Sequence, residues 1–157
     1  EDLRPLLLDE DPHVVAVALR AIGRLHAASR SPSDEVYAMV RSALEATAVV
    51  ALAGCESLLE MGGPEAASIA SLGLDRPESE VVRAAVACLA AHGGEEAVDR
   101  LIELVGHPDW SVRAEVIQLL VDRGARRSLP ALLRRLESEK HDFVREVILR
   151  ATRRLEE

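Results

Sequence analysis

Aromatic residues, cysteines and long apolar segments are all scarce in this sequence. The 157 residues include one Trp, one Tyr and one Phe, whereas β-strands are enriched in aromatic side chains. The scarcity of aromatic residues therefore favours stacked helices with a core of Ala, Leu, Val and Ile. No apolar run approaches the roughly 20 residues of a membrane-spanning helix, and no basic region followed by an apolar block stands at the amino terminus. We expect a cytoplasmic protein without a membrane span.

The two cysteines and five histidines do not have the spacing of a metal or redox site. Cys55 and Cys88 form no CxxC pair, so we interpret them as buried small hydrophobic residues. His92 and His107 are separated by a helical segment of roughly 20 Å at about 1.5 Å per residue, and we expect His92 to be a half-buried packing residue. No nucleophile with a base, and no Gly-rich phosphate loop, can be assembled. The sequence predicts no metal, no cofactor and no catalytic residue.

Five valines recur at nearly constant spacing and each opens a similar segment. They are Val14, Val50, Val81, Val112 and Val144, separated by 36, 31, 31 and 32 residues. Counted from the valine, positions 1, 5, 8, 9 and 12 share one helical face and are mostly apolar. A short unit that cannot bury its own apolar face must stack on its neighbours, so this period predicts a solenoid.

Each repeat is predicted to contain two helices, helix A before the repeat valine and helix B starting near it. Gly62, Gly93 and Gly124 each follow their valine by twelve residues, and glycine ends a helix in the left-handed conformation at least cost. Asp109 and Thr47 stand where N-cap residues are expected. We predict a single domain of about five repeats, over residues 1–29, 30–62, 63–93, 94–124 and 125–157.

The repeat motifs resemble those of a known family. The segments Asp-Pro-His-Val at 11–14, His-Pro-Asp-Trp-Ser-Val-Arg at 107–113 and His-Asp-Phe-Val-Arg at 141–145 are similar to the Asp-x-x-Val-Arg signature of short bacterial HEAT-like repeats, which also occur in phycobilin lyase subunits. The ankyrin and tetratricopeptide patterns are absent from every copy. The resemblance implies an all-α fold, a right-handed α-solenoid of two-helix repeats.

The first repeat is predicted to be truncated, because only about ten residues precede its turn. Leu3, Leu6, Leu7 and Leu8 should form an incomplete, partly exposed apolar face, and such faces promote self-association. The last helix B is rich in Arg and Glu, as a terminal capping helix should be. We therefore expect the chain to be a carboxy-terminal segment of a longer protein, which can associate through its truncated edge.

Charge is distributed unevenly along the chain. Residues 1–122 have a net charge of −12 and residues 123–157 a net charge of +4. A surface that follows a nucleic-acid backbone needs basic residues together with aromatic ones, and the basic last repeat has no aromatic residue except Phe143. We interpret this segment as a solvated cap. An acidic protein partner is the first alternative, and nucleic acid is the second.

Positions 7 and 11 of helix B should face away from the core, toward the concave side in HEAT-like folds. These positions alternate in charge between neighbouring repeats. The expected ion pairs are Arg20 with Glu56, Arg24 with Glu60, and Asp122 with Arg154. Exposed pairs of this kind contribute only about 0.2–1 kcal/mol each, so we interpret them as devices that set the register of stacking.

The centre of this face, by contrast, is small and uncharged at Ala84, Ala87 and Ala91. It is acidic on both sides, which predicts a docking site for a basic or amphipathic protein segment. An alternative is that the alanines are small only to let helices approach. The turn residue Trp110 either packs on the next repeat or contacts a partner. The candidate partner-binding residues are Glu56, Glu60, Ala84, Ala87, Ala91, Trp110, Gln118 and Asp122.

The predicted function is a non-catalytic scaffold or adaptor for protein–protein interaction. Solenoids present surface, and no residue can be assigned a role in a reaction. The alternative, suggested by the resemblance to phycobilin lyases, is a lyase or chaperone-like subunit that handles a cofactor. A nucleic-acid binder is a less favoured reading.

Overall fold

The computed structural model describes residues 3–27 and 32–157, and within these ranges the regular elements are all helical. The α-helices of the described residues are α1 (Pro12–Ala27), α2 (Asp34–Ala43), α3 (Ala48–Met61), α4 (Gly63–Ala70), α5 (Ser79–His92), α6 (Glu95–Leu104), α7 (Trp110–Asp122), α8 (Leu129–Ser138) and α9 (Asp142–Glu156). Short 3-10 helices span Arg4–Leu8, Ser71–Asp75 and Arg126–Ser128. Helices α1, α3, α5, α7 and α9 are the B helices, and α2, α4, α6 and α8 are the A helices.

The chain forms two compact units, Glu1–Gly93 and Gly94–Glu157. The division falls at residues 93 and 94, where one of the predicted repeat boundaries lies. In the first unit α3 packs between α1 and α5, with α2 and α4 against the B helices. In the second unit α7 packs against α9, α6 against α7, and α8 against α9. Each unit therefore stacks its B helices and covers them with A helices, which is the arrangement of an α-solenoid.

The first unit depends on a close approach of two B helices. A Cβ atom added at Gly23 of α1 would lie 2.7 Å from the Cα of Ser57 in α3. Gly54 is similarly enclosed, since its Cβ would lie 3.2 Å from a methyl carbon of Leu44. Both glycines are buried inside helices. The small size of these two residues therefore lets neighbouring helices pack closely. Glycine has a packing role inside helices here, in addition to its role at turns.

Helix α1 departs from the predicted register of the repeat. The pattern places Val14 and Leu25 on the buried face, but Val14 is half-buried and Leu25 is 66% exposed. The corresponding residues of α3, Val50 and Met61, are buried. The difference arises because α1 packs against α3, whereas the corresponding side of α1 is open to solvent and Val17 there is 64% exposed.

Two of the three predicted glycine stops have the expected conformation. Gly62 and Gly124 have φ angles of 71° and 62°, in the left-handed region that favours glycine. The prediction is wrong at Gly93, which has φ −79° and ψ 152°. There the backbone is extended, and the Gly93 N–H completes the last turn of α5 by donating to the carbonyl of Leu89 at 2.8 Å.

The predicted helix starts are mostly confirmed. Asp109 caps α7, since its carboxylate accepts from the backbone N–H groups of Ser111 at 2.7 Å and Val112 at 3.4 Å. Thr47 occupies the N-cap position of α3, but its side chain forms no capping hydrogen bond.

The segment before the first turn, where a short helix A is predicted, forms the 3-10 helix Arg4–Leu8 and leaves apolar surface open. Leu8 is 87% and Leu6 43% exposed, while Leu3 and Leu7 are half-buried. Beside this helix lies an apolar cavity of about 460 Å³, lined by Leu7, Leu8, Val15, Leu19 and Met39 among others. The predicted exposure of an apolar edge is confirmed.

Candidate functional site

The alanines of α5 divide into a buried set and an open set. Ala85 is 0% and Ala90 7% exposed, so both belong to the core. Ala84 and Ala87 are half-buried and Ala91 is exposed. The alanines that the sequence assigned to a docking surface are thus the ones that the core does not bury.

Acidic and basic residues of α1 and α3 meet on the same side of the first unit. The Arg20 Nε donates to a carboxylate oxygen of Glu56 at 2.6 Å, which confirms the first expected ion pair. Arg24 and Glu60 line the same depression of about 420 Å³, but in the described part of the chain no ion pair joins them. Glu56 is therefore partly neutralised, and Glu60 is left exposed to solvent.

The second unit contributes Gln118 and Asp122, both exposed on α7. The Gln118 Nε2 donates to the Asp122 carboxylate at 2.9 Å. The expected pair of Asp122 with Arg154 does not form among the described residues. Gln118 lines a depression of about 250 Å³ together with Arg150 and Arg154. The acidic character expected here is thus offset by two arginines.

Trp110 lies at the start of α7 and belongs to an aromatic cluster. Its ring is parallel to that of His141, with centroids 4.4 Å apart and an interplanar angle of 7°. Phe143 meets it edge-on, with centroids 6.0 Å apart and an angle of 85°. Trp110 is still 45% and Phe143 49% exposed. Trp110 therefore packs on the next repeat, and it also leaves aromatic surface exposed to solvent.

A buried ion pair holds the turn that carries this cluster. Arg113 donates from Nε and Nη2 to the two carboxylate oxygens of Glu139, each at 2.8 Å. Its Nη1 donates to the carbonyls of His107 and Pro108 at 2.9 and 2.8 Å. Arg113 is 5% and Glu139 3% exposed. This bidentate geometry links the turn before α7 to the turn before α9.

The electrostatics of Glu139 follow from its donors. Burial by itself would raise the pKa of the Glu139 carboxyl, but hydrogen bonds from Arg113, Arg135 and the backbone N–H of His141 outweigh burial and lower that pKa to about 2. Sequence reasoning had noted Arg113 only as part of the Val-Arg motif. The partner of Arg113 could have been sought as an acidic residue in the turn of the following repeat, and Glu139 lies there, 26 residues along the chain.

The arginine of the last repeat makes a related set of contacts. Arg145 occupies the position of Arg113 in the following copy, and its Nη1 donates to the carbonyls of Leu136 at 3.0 Å and Glu139 at 2.9 Å. Arginine after the repeat valine therefore ties down the preceding turn in both copies. The motif is structural, which explains why it identifies a fold better than a function.

The remaining titratable residues that the sequence singled out are structural. Burial raises the pKa of the Cys55 and Cys88 thiols to about 12, so neither is a thiolate nucleophile at neutral pH. His92 is half-buried and its Nε2–H donates to the carbonyl of Leu59 at 2.8 Å. In the ranges 3–27 and 32–157, no group of three or more His, Cys, Asp or Glu residues is arranged to hold a metal ion. The helices of the same ranges are all too short or too polar to cross a membrane.

Comparison with known proteins agrees with this architecture. The chain is similar in structure to the designed armadillo repeat protein YIII(Dq)4CqI, with a TM-score of 0.59 and 19% identity over 98% of this chain and 80% of that chain. The two-helix repeats and this likeness define the class, an α-solenoid. Residues 70–153 match the sequence profile of HEAT repeats. This match covers more than half of the chain, which belongs to the HEAT-repeat family. No curated protein matches the sequence.

Proposed function

We propose that this HEAT-repeat protein is a non-catalytic scaffold or adaptor that binds a protein segment on the outward face of its B helices. The observation that carries the proposal is the open set of alanines on α5. Ala91 is exposed, and Ala84 and Ala87 are half-buried on the same helix. Because these side chains are short, an apolar side chain of a partner can approach the helix closely there, and the partner's flanks meet charged neighbours.

The competing explanation is that the alanines serve packing alone. That explanation fits Ala85 and Ala90, which are buried. It does not fit Ala91, whose side chain reaches solvent. The exposure difference within one helix therefore favours a surface role for the open set.

The charges around the open set favour a basic or amphipathic segment. Glu60 is exposed, and the side chain of Glu56 is 41% exposed although Arg20 contacts it. Lysine or arginine residues of a partner would gain from both carboxylates. In the second unit, Gln118 and Asp122, both exposed on α7, are proposed as separate candidate contacts.

We include Trp110 in the proposal as a separate contact. Half-exposed tryptophan is typical of the residues that contribute most to protein interfaces. Its stacking on His141 holds the indole in one orientation, so little conformational entropy is lost when a partner covers it. As part of the same proposal, we assign these repeats to the short bacterial HEAT-like type and the protein to the cytoplasm.

A binding experiment with model helices tests the proposed face. The probe is a fluorescein-labelled amphipathic peptide with leucine on one face and lysine on the other, and its counterpart has glutamate for lysine. We expect the basic peptide to raise fluorescence anisotropy and the acidic one not to. Ala91→Arg should weaken binding about tenfold, equivalent to about 1.4 kcal/mol.

The matched control is Ala38→Arg, which makes the same change of charge at an exposed alanine of α2. It should leave affinity nearly unchanged. Equal weakening by both substitutions would mean that the peptide responds only to the net charge of −8, and the proposed face would then be wrong. Thermal melts distinguish a surface role from a packing role. Ala91→Arg should change stability by no more than about 0.5 kcal/mol, because Ala91 is exposed, whereas Ala85→Glu should cost several kcal/mol, because Ala85 is buried.

A further inference from the structure

The apolar cavity between the first two repeats lies where the fourth repeat holds a buried arginine. The backbone N–H of Arg113 donates to the carbonyl of Asp109, just before α7, at 3.2 Å. The backbone N–H of Val15 donates in the same way to the carbonyl of Asp11, just before α1, at 3.2 Å. Val15 lines the cavity of about 460 Å³. The first repeat therefore has a short apolar side chain at the position where the fourth has a long basic one.

The carbonyl acceptors of this arginine have counterparts beside the cavity. Arg113 donates to the carbonyls of His107 and Pro108. The residues at the same positions of the first repeat are Asp9 and Glu10, and both line the cavity. The valine of the first repeat offers these carbonyls no donor. Asp9 and Glu10 are also exposed, so the rim of the cavity is acidic.

The acid that pairs with this arginine has a counterpart as well. Glu139 and Glu45 each stand five residues before their repeat valine. Each also follows an arginine by four residues, Arg135 and Arg41 respectively. Glu139 is buried beside Arg113, whereas Glu45 is exposed to solvent. The junction of the first two repeats therefore retains the acid of this arrangement and lacks its buried arginine.

We propose that this cavity binds an arginine side chain of a partner protein. Its walls are apolar at Leu7, Leu19 and Met39, which suits the aliphatic stem of arginine. The guanidinium would lie at the acidic rim, where oxygen acceptors match its planar set of N–H donors. The volume falls within the roughly 300–1,000 Å³ of ordinary binding pockets. This inference is independent of the face proposed on α5, because no residue of α5 lines the cavity.

Titration with a short peptide tests the site. The probe is the acetylated tripeptide amide Leu-Arg-Leu, and its counterpart contains citrulline, which keeps the shape of arginine without its charge. Met39 lines the cavity, so the NMR signal of its methyl group reports occupation. This signal should shift and saturate with the arginine peptide and stay in place with the citrulline peptide. Equal binding of the two peptides, or binding of neither, overturns the proposal.

Filling the cavity from within is the second test. Val15→Arg supplies the side chain that the fourth repeat has, and it should weaken binding of the arginine peptide by about tenfold or more. The matched control is Val17→Arg, which makes the same change at a valine of α1 that is 64% exposed, and it should leave the affinity nearly unchanged. Equal loss in the two variants would mean that the peptide responds only to net charge, and the proposed site would then be wrong.

Two further variants separate the site from its alternatives. Glu10→Gln, at an exposed residue of the rim, should weaken the arginine peptide severalfold even if Val15→Arg does not fold, and an unchanged affinity would contradict the proposal. Ala91→Arg should leave the affinity for this peptide unchanged, because Ala91 lies on α5 and does not line the cavity. Loss of binding in Ala91→Arg would place the peptide on α5 and exclude the cavity. Circular dichroism melts of each variant verify that it folds.

Discussion

The two units hold their stacked repeats together by different physical interactions. In the first unit, α1 and α3 approach closely because Gly23 faces Ser57. In the second unit, residue 121 occupies the position of Gly23 and is a valine. There the buried pair of Arg113 and Glu139 joins α7 to the turn before α9. Stacking of HEAT-like repeats therefore tolerates either a steric or an electrostatic solution at each junction.

This contrast predicts that the units respond to different perturbations. The first should be sensitive to added volume and less sensitive to charge, because Gly23 meets Ser57 closely there and the ion pair of Arg20 with Glu56 is partly exposed. The second should be sensitive to the loss of one charge and to acid, because breaking a buried ion pair leaves its partner unpaired in a medium of low polarity. Four substitutions or conditions test the contrast.

The largest effect is expected for Arg113→Met. The substitution keeps apolar bulk but removes both bonds to Glu139 and the two bonds to turn carbonyls. We expect a loss of about 3 kcal/mol of unfolding free energy, as for other broken buried pairs, measured by urea unfolding followed through Trp110 fluorescence. Arg150→Met is the control, since its pair with Glu146 is exposed and should contribute less than about 0.5 kcal/mol. Similar losses in the two variants would contradict the assignment.

Gly23→Ala should destabilise the first unit by about 2 kcal/mol, as overpacking of a core does. An alanine in an open helix would instead stabilise it by up to about 1 kcal/mol relative to glycine, so the sign of the change is decisive. Urea unfolding followed by circular dichroism gives the value. Gly94→Ala is the control, because a Cβ there meets no atom within 4 Å. A rise in stability for Gly23→Ala would show that α1 and α3 can separate without loss.

Acid should weaken the second unit in a defined range of pH. The pKa of Glu139 is about 2 in the folded chain against a usual value of 4.5. The stability that depends on its charge is therefore complete above about pH 4.5 and is lost as the pH falls toward 2. Urea midpoints measured through Trp110 should fall across this range. Glu139→Gln should be less stable at neutral pH and should lose this part of the pH dependence. A variant with an unchanged acid profile would mean that other carboxylates dominate.

The smallest effect is expected for Phe143→Ala. The substitution removes the edge contact to Trp110, and aromatic pairs contribute about 0.5–1.5 kcal/mol. Stability should fall by about 1 kcal/mol, and Trp110 emission should move to longer wavelength as the indole becomes more exposed. Leu133→Ala, at an exposed leucine of α8, should leave the emission unchanged. Unchanged emission in Phe143→Ala would remove Phe143 from the cluster.

The sequence predicted the architecture well because the repeat is encoded locally. The five valines, the cap at Asp109 and the stops at Gly62 and Gly124 all act within a few residues of their own position. Gly93 shows the limit of this reasoning, because a glycine after a helix is compatible with both extended and left-handed backbone.

The features that could not be predicted depend on neighbours distant in sequence. The solvent exposure of Leu25 depends on what packs beside α1, and the pattern of α1 alone does not contain it. The Glu139 partner of Arg113 lies in the next repeat, and the stacking of Trp110 on His141 depends on where that ion pair holds the turn. For the proposed docking face, the sequence identified the small residues and the charges. It did not show which of the alanines reach solvent, because that depends on how the neighbouring helices pack.

The Arg113–Glu139 pair also has a consequence for how such an array can evolve. The arginine belongs to one repeat and the carboxylate to the next, so any exchange or deletion of a repeat at this junction separates the two. A repeat inserted here would have to supply a carboxylate toward Arg113 and an arginine toward Glu139. The side chains at this junction therefore fix which repeat can follow which. Repeats of similar shape cannot be exchanged here unless their charged residues also match.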